Sequence, residues 1–323
     1  MSDPTPAQPV PPGGLTCGID VGGTKIAGAV VDVDGTVVDE HRVVSPANDA
    51  DAVEDAIAQL VKELAARHDL TAVGIGAAGY VDAGRRTVMF APNIAWRDED
   101  LASEIEARVA LPVVVENDAN AAAWGEFTFG AASDVDDMLM VTVGTGVGGG
   151  IVSGGRLFRG AFGTAAEIGH LRVVRGGRQC GCGNLGCLEQ YASGSALVKE
   201  TRALAHEPAA AALLERAGGD PAAIDGPMIT HAAAEGDAFA IAQVAELGRW
   251  LGEAIASLVE VLDPGAIVIG GGVSESGDLL LEPVREAFLS QLTGRGHRPV
   301  AEIRTASLGN QAGVIGAADL ARR

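Results

Sequence analysis

The chain has 323 residues, room for one large or two ordinary domains, and its 47% hydrophobic and 20% charged residues are a globular balance. Its 43 acidic residues against 23 basic ones, a net charge of −20, argue against coating of DNA or RNA. No run of about 18 apolar residues offers a membrane-spanning helix.

Residues 1–14, MSDPTPAQPVPPGG, hold five prolines and no basic stretch, so they read as a disordered leader rather than a secretory signal, and the compartment expected is the cytoplasm. Residues 15–21 and 26–33 read as two strands joined through Gly22-Gly23-Thr24-Lys25, and Asp34-Gly35 turns into a third strand, Thr36–Val44. Over 50–67, Val53, Ile57, Leu60, Val61 and Leu64 fall on one helical face. Buried strands follow at 71–77 and 112–115, with an acidic helix near 98–109 between them. The pattern then restarts: a strand at 138–143, a glycine turn over Gly144–Gly150 and a return strand at 150–153, read as a weak internal duplication. The Ala-rich stretch 203–234 reads as helical, with turns inside 214–227. A long helix is predicted over 237–262, stopped by Asp263-Pro264-Gly265, then a buried strand at 266–269 running into Gly270-Gly271-Gly272. Helices near 278–292 and 310–322 close the chain. The fold class expected is α/β.

Three glycine clusters stand out. In Asp20-Val21-Gly22-Gly23-Thr24-Lys25 a carboxylate at a strand end precedes a turn whose backbone N–H groups can meet an anion, with a hydroxyl and a cation beside it. A plain tight hairpin explains that segment about equally well. The stretch Gly144–Gly150 carries five glycines in seven positions, more than a hairpin needs. A strand follows it, so a dinucleotide fingerprint fits poorly. Gly270–Gly272 end a buried strand before a helix, where either ligands bind or strand and helix pack closely. Together the clusters favour a bound nucleotide.

Glu116-Asn117-Asp118-Ala119-Asn120 closes a strand and opens a helix. Helix capping accounts for one such residue, not for four polar residues in five positions. A carboxylate here can take a proton from a sugar hydroxyl, and Asn117 can pair with vicinal hydroxyls. The turn Gly76-Ala77-Ala78-Gly79 lets backbone approach the same ligand. Downstream, Glu167-Ile168-Gly169-His170 precedes Cys180-Gly181-Cys182-Gly183-Asn184-Leu185-Gly186-Cys187-Leu188-Glu189. His170, Cys180, Cys182 and Cys187 are separated by nine, one and four residues and make a full tetrahedral set for structural zinc, with no open position for chemistry. The ion would fix the loop 170–187 and aim Glu167, His170 and Glu189 at a polyol. Cys17, alone in an apolar run, reads as a small core residue.

These segments together resemble the ROK family of bacterial sugar kinases and repressors, from about residue 15 to the C-terminus. The resemblance implies an actin-like (ribonuclease H-like) two-domain sugar kinase fold with an interdomain cleft, and phosphoryl transfer from ATP with magnesium. It implies that Asp118 is the catalytic base and that Gly79, Asn117, Glu167, His170 and Glu189 are sugar contacts. It places Asp20, Gly22, Gly23, Thr24, Lys25, Gly144, Thr145 and Gly146 at the phosphates, Gly271 and Gly272 at the nucleotide, and a zinc ion on His170, Cys180, Cys182 and Cys187. Ala91–Trp96 and Asn117–Glu126 most resemble the glucose-phosphorylating members, with N-acetylmannosamine, mannose or fructose, or polyphosphate as donor, as alternatives. The family's repressors carry a helix-turn-helix ahead of the first strand; only the Pro-rich leader stands there in this sequence, so a sugar-sensing regulator is the weaker reading. The expected domains are a small one over 15–122, completed by a helix at 314–323, and a large one over 123–313, in a homo-oligomer.

Overall fold

A computed structural model describes residues 13–323. All but the last two residues of the expected leader lie outside the described residues. Among the described residues two units emerge: residues 13–136 with Gly150–Ala166 and Ser307–Arg323, and Asp137–Gly149 with Glu167–Ala306. The first break falls at Asp136, beyond the expected 122, because a helix spans Asp118–Phe129 and residue 122 lies inside it.

In the first unit, strands β1 (Leu15–Val21), β2 (Lys25–Val31), β3 (Val37–Val44), β4 (Leu70–Ala77) and β8 (Val113–Asn117) form a sheet in the order β3-β2-β1-β4-β8. The β1-β2-β3 pairings are antiparallel, and β1-β4 and β4-β8 are parallel. Helix α1 (Ala50–Ala65) is capped by Asp49, which accepts from the Ala52 N–H, and it buries Val53, Ile57, Leu60, Val61 and Leu64. It packs with α2 (Leu101–Val109) over one face of the sheet, where Cys17, Ile19 and Val21 are fully buried. Helices α3 (Asp118–Phe129) and α10 (Ala312–Leu320) pack together, and α10 covers the face carrying Ala29 and Val31. A small antiparallel sheet of β5 (Tyr80–Val81), β6 (Val88–Phe90) and β7 (Arg97–Glu99) was not expected. Its strands are too short to show alternation.

The second sheet runs β11-β10-β9-β12-β13, from β9 (Met138–Val143), β10 (Val147–Ser153), β11 (Arg156–Leu157), β12 (Ala266–Gly270) and β13 (Glu302–Thr305). The turn before β10 is Gly144–Gly146, shorter than the expected Gly144–Gly150: the Gly144 N–H reaches the Gly146 carbonyl at 3.0 Å and the strand begins at Val147. Helices α4 (Glu189–Ala192) and α5 (Gly194–Ala203) follow the cysteine segment. The Ala-rich stretch gives two short helices, α6 (Ala211–Arg216) and α7 (Gly226–Ala234), split where Gly218 and Gly219 take positive φ. Helix α8 (Ala238–Leu262) packs on α9 (Asp278–Gln291) and buries Val244, Leu247, Leu251 and Ile255. Asp263, with φ of 43°, ends it. Among the described residues no helix is long and apolar enough to cross a membrane.

Candidate active site

The parallel strands β1, β4 and β8 end side by side, with Asp20 opposite Gly76 and Ala77 opposite Asn117. Asn117 caps α3: its side-chain oxygen accepts from the Asn120 N–H at 3.0 Å. Its amide nitrogen donates to the Gly79 carbonyl and to Asp118 Oδ1, both at 3.1 Å. Asn117 thereby ties Gly79 to Asp118. Asp118 is the first residue of α3 and half-buried. Burial, then the Asp20 carboxylate, pushes its pKa up to about 6, against the backbone N–H groups and the Asn117 amide that pull it down. Burial also raises Asp20, with Lys25 pulling the other way. A carboxylate poised near 6 is ionised at neutral pH yet still basic enough to accept a proton.

Glu116 does something else. It is 3% exposed, and its carboxylate accepts from Arg159 Nε at 2.6 Å, from the Asn117 N–H at 3.2 Å and from Asn120 Nδ2 at 3.2 Å. Arg85 Nε stands 3.8 Å away. Glu116 and Asn120 thus serve the interior of the corner. Sequence reading missed both arginines, because nothing in their spacing ties them to a carboxylate 31 or 43 positions away.

The turn between β1 and β2 closes with the Gly22 N–H on the Lys25 carbonyl at 3.0 Å, leaving Thr24 and Lys25 exposed. The Gly144–Gly146 turn is held from behind. Gly194 N–H donates to the Gly144 carbonyl at 2.7 Å and Ser195 N–H to the Thr145 carbonyl at 3.4 Å. These are amides of the first turn of α5, which Ser193 caps, so the turn's carbonyls satisfy orphan donors. The capping signal Ser193-Gly194-Ser195-Ala196 was present in the sequence and passed over. Glu189 Oε2 accepts from the Val147 N–H at 3.3 Å, and a Cβ at Gly146 would meet that same oxygen. Gly271 has φ of 86°, and a Cβ there would lie 2.5 Å from the Val143 carbonyl oxygen. Packing on β9 therefore accounts for Gly271, while Gly272 has open space on its Cβ side.

His170 ends a short 3-10 turn, Ile168–His170, whose N-terminal neighbour is Glu167. The donor atoms of His170, Cys180, Cys182 and Cys187 all lie within 4.8 Å of one another. Cys182 and Cys187 sulfurs are 3.7 Å apart, and Cys180 Sγ is 3.7 Å from His170 Nδ1. Zn–S bonds of about 2.3 Å at tetrahedral angles set sulfurs roughly 3.8 Å apart, so the four residues fit that ion. Glu189 Oε1 sits 3.8 Å from Cys180 Sγ. One carboxylate therefore touches both the cysteine cage and the Gly146–Val147 turn. Within the first unit the structure gathers Asp20, Gly79, Asn117 and Asp118; within the second it gathers Gly144–Gly146, Glu189, His170 and the three cysteines.

The ROK family model matches residues 16–323. A glucokinase of Streptomyces coelicolor is 51% identical over 311 residues, covering 96% of this chain and 98% of that protein. A glucokinase of Halalkalibacterium halodurans is 42% identical, covering 93% of this chain and 92% of that protein. The crystal structure of a ROK family glucokinase from Streptomyces griseus in complex with glucose and AMPPNP matches with a TM-score of 0.88 at 52% identity, covering 96% of this chain and 99% of that one.

Proposed function

The chain belongs to the ROK family, and from that premise we propose that it transfers the γ-phosphoryl group of ATP to the 6-hydroxyl of glucose, giving glucose 6-phosphate and ADP. The observation that carries this reading is Asp118: a half-buried carboxylate at the end of β8, held by Asn117 and pushed up to about 6. Its similarity to glucokinases over nearly the whole length supports the choice of sugar.

In this reading Asp118 accepts the proton of the 6-hydroxyl as that oxygen attacks the γ-phosphorus. Both amide hydrogens of Asn117 hold the Gly79 carbonyl and the aspartate in register, and its side-chain oxygen keeps one lone pair for a sugar hydroxyl. Gly79, Asn117, Glu167, His170 and Glu189 are assigned to the sugar. ATP would bring a magnesium ion, whose charge would neutralise the phosphates. The exposed Thr24 and Lys25 beside Gly22 and Gly23, and the backbone of Gly144, Thr145 and Gly146, are assigned to the phosphates. Asp20, half-buried at the strand end, joins that set and also tunes Asp118. Gly272 is the open residue assigned to the nucleotide, whereas Gly271 shapes the backbone around it. His170, Cys180, Cys182 and Cys187 would hold a zinc ion whose contribution is structural, fixing the loop that carries Glu189. The same reading makes the protein a cytoplasmic homo-oligomer.

A hexose panel assayed by coupled ADP release, with ATP and with polyphosphate as donors, tests the reading. The expected result is the highest kcat/KM with glucose and ATP. A higher value with N-acetylmannosamine, mannose or fructose, or with polyphosphate, overturns the assignment of acceptor or donor. Absence of turnover with every sugar leaves the reading as a kinase without support.

A further inference from the structure

We propose that Arg159 is a positioning residue for phosphoryl transfer: through its bond to the buried Glu116 it fixes the loop Phe158–Ala166 against the corner that carries Asp118. The inference rests on the glucose kinase reading above and assigns a role to a polar residue of the corner that the reading leaves idle.

Glu116 is almost wholly buried, and the groups that donate hydrogen bonds to it belong to the corner or to that loop. One oxygen takes the Asn117 N–H and the Asn120 side chain, which fixes the start of α3. The other takes Arg159 Nε at 2.6 Å, a short charge-assisted bond. Charge balance alone does not require Arg159, because Arg85 already stands 3.8 Å from the same carboxylate with no hydrogen-bond partner on its Nε. What Arg159 adds is connection. Its carbonyl accepts the Ala165 N–H at 3.1 Å, closing the loop on itself, and the Phe158 N–H is taken by the Ile151 carbonyl at 2.8 Å. Gly160 and Gly163 take positive φ inside the loop, and so does Ala166, with φ of 67°. A left-handed alanine persists where its surroundings over-determine it. The next residue in the chain is Glu167, assigned to the sugar. A single ion pair therefore anchors both the start of α3, with its aspartate, and the loop Phe158–Ala166. Misplacement of reacting groups by about 1 Å can cost roughly a hundredfold in rate.

The test compares R159M, R159K and R85M with the parent. R159M keeps the aliphatic stem and loses the bond, so kcat is expected to fall about 10- to 100-fold and the KM for glucose to rise, with the KM for ATP within twofold. R159K, able to make one point-charge contact, is expected to recover part of both. R85M removes charge beside the same carboxylate and the bond to the Leu320 carbonyl, but no tie to the loop. It is expected to lower the melting temperature without that split between glucose and ATP. R159M with parent kcat and glucose KM overturns the inference, as does an R85M that reproduces the kinetic signature of R159M. If the parent itself fails to phosphorylate glucose, the function reading falls, and crystal structures of parent and R159M decide the inference separately. A loop 158–166 displaced from Asn117–Asp118 in the variant sustains it, and an unmoved loop sinks it.

Discussion

The acidic corner of the first unit and the cysteine loop of the second aim their side chains by different means. In the corner, Asp20, Asn117 and Asp118 stand at the ends of paired strands and at the first turn of α3. Their directions follow from a backbone hydrogen-bonded ladder. In the loop, residues 171–188 hold only two isolated bridges, Arg172 with Cys187 and Gln179 with Leu185, among turns closed by bonds such as Gly183 N–H to the Cys180 carbonyl at 3.0 Å. Four donor atoms within 4.8 Å of one another are placed to do there, around an ion, what a ladder does in the corner. Geometry built on strands survives without an ion; geometry built on a metal cross-link is coupled to it.

The sharpest break of that contrast is Asp118→Asn. The side chain keeps its shape, so the corner stays folded and hexose binding measured by calorimetry remains near the parent. Loss of the base lowers kcat by about 10²- to 10⁴-fold. Turnover within tenfold of the parent would remove the corner from the chemistry.

Removing the ion should break the other half. One zinc per chain is the expected result of metal analysis. Chelation, or Cys182→Ser, is expected to raise the KM for glucose about 10- to 100-fold, the range typical of lost support around a site. The corner should feel none of this. Its expected signature is the acid limb of kcat/KM: because Asp118, as the proposed base, must be deprotonated to act and is poised at about 6, the rate falls tenfold per pH unit below that point and is flat just above it. The inflection should stay in place when zinc is stripped. It should move down in Asp20→Asn, since the Asp20 charge is one of the causes that raise Asp118. An inflection that follows zinc instead would mean that the two regions are not independent.

Legibility in the sequence divides along the same line. Periodicity located α1 and α8 to within two residues at their ends, and apolar runs bounded by turn residues located β1 to β4. The spacing of His170, Cys180, Cys182 and Cys187 was readable because metal ligation demands a residue set that few other needs explain. The strands β5 to β7, β11 and β13, at two to four residues each, were not readable, because a period cannot show in so few positions. The reason for each glycine was hidden too. Gly271 passes the backbone of β9 and Gly146 passes a carboxylate, and both facts depend on partners distant in sequence. Arg159 and Glu116, 43 positions apart, are the extreme case.

The mildest expected effect comes from Gly146→Ala, which asks whether the cage and the Gly144–Gly146 turn meet in Glu189. Gly146 is outside the left-handed region, so the backbone accepts alanine without strain. The new methyl enters the space of Glu189 Oε2, the far end of a flexible side chain, which can swing aside. The cost is its bond to the Val147 N–H, at 3.3 Å already a long one. The fold should be intact, with a melting temperature within about 3 °C of the parent, while the KM for glucose rises about 3- to 10-fold, a loss of roughly one hydrogen bond. Stripping zinc from this variant should then add less than it does in the parent, because both changes act on the same carboxylate and effects through one shared group are not additive. Full additivity in the glucose KM would show that the cage acts on the sugar through His170 or Glu167 and that Glu189 serves the turn alone.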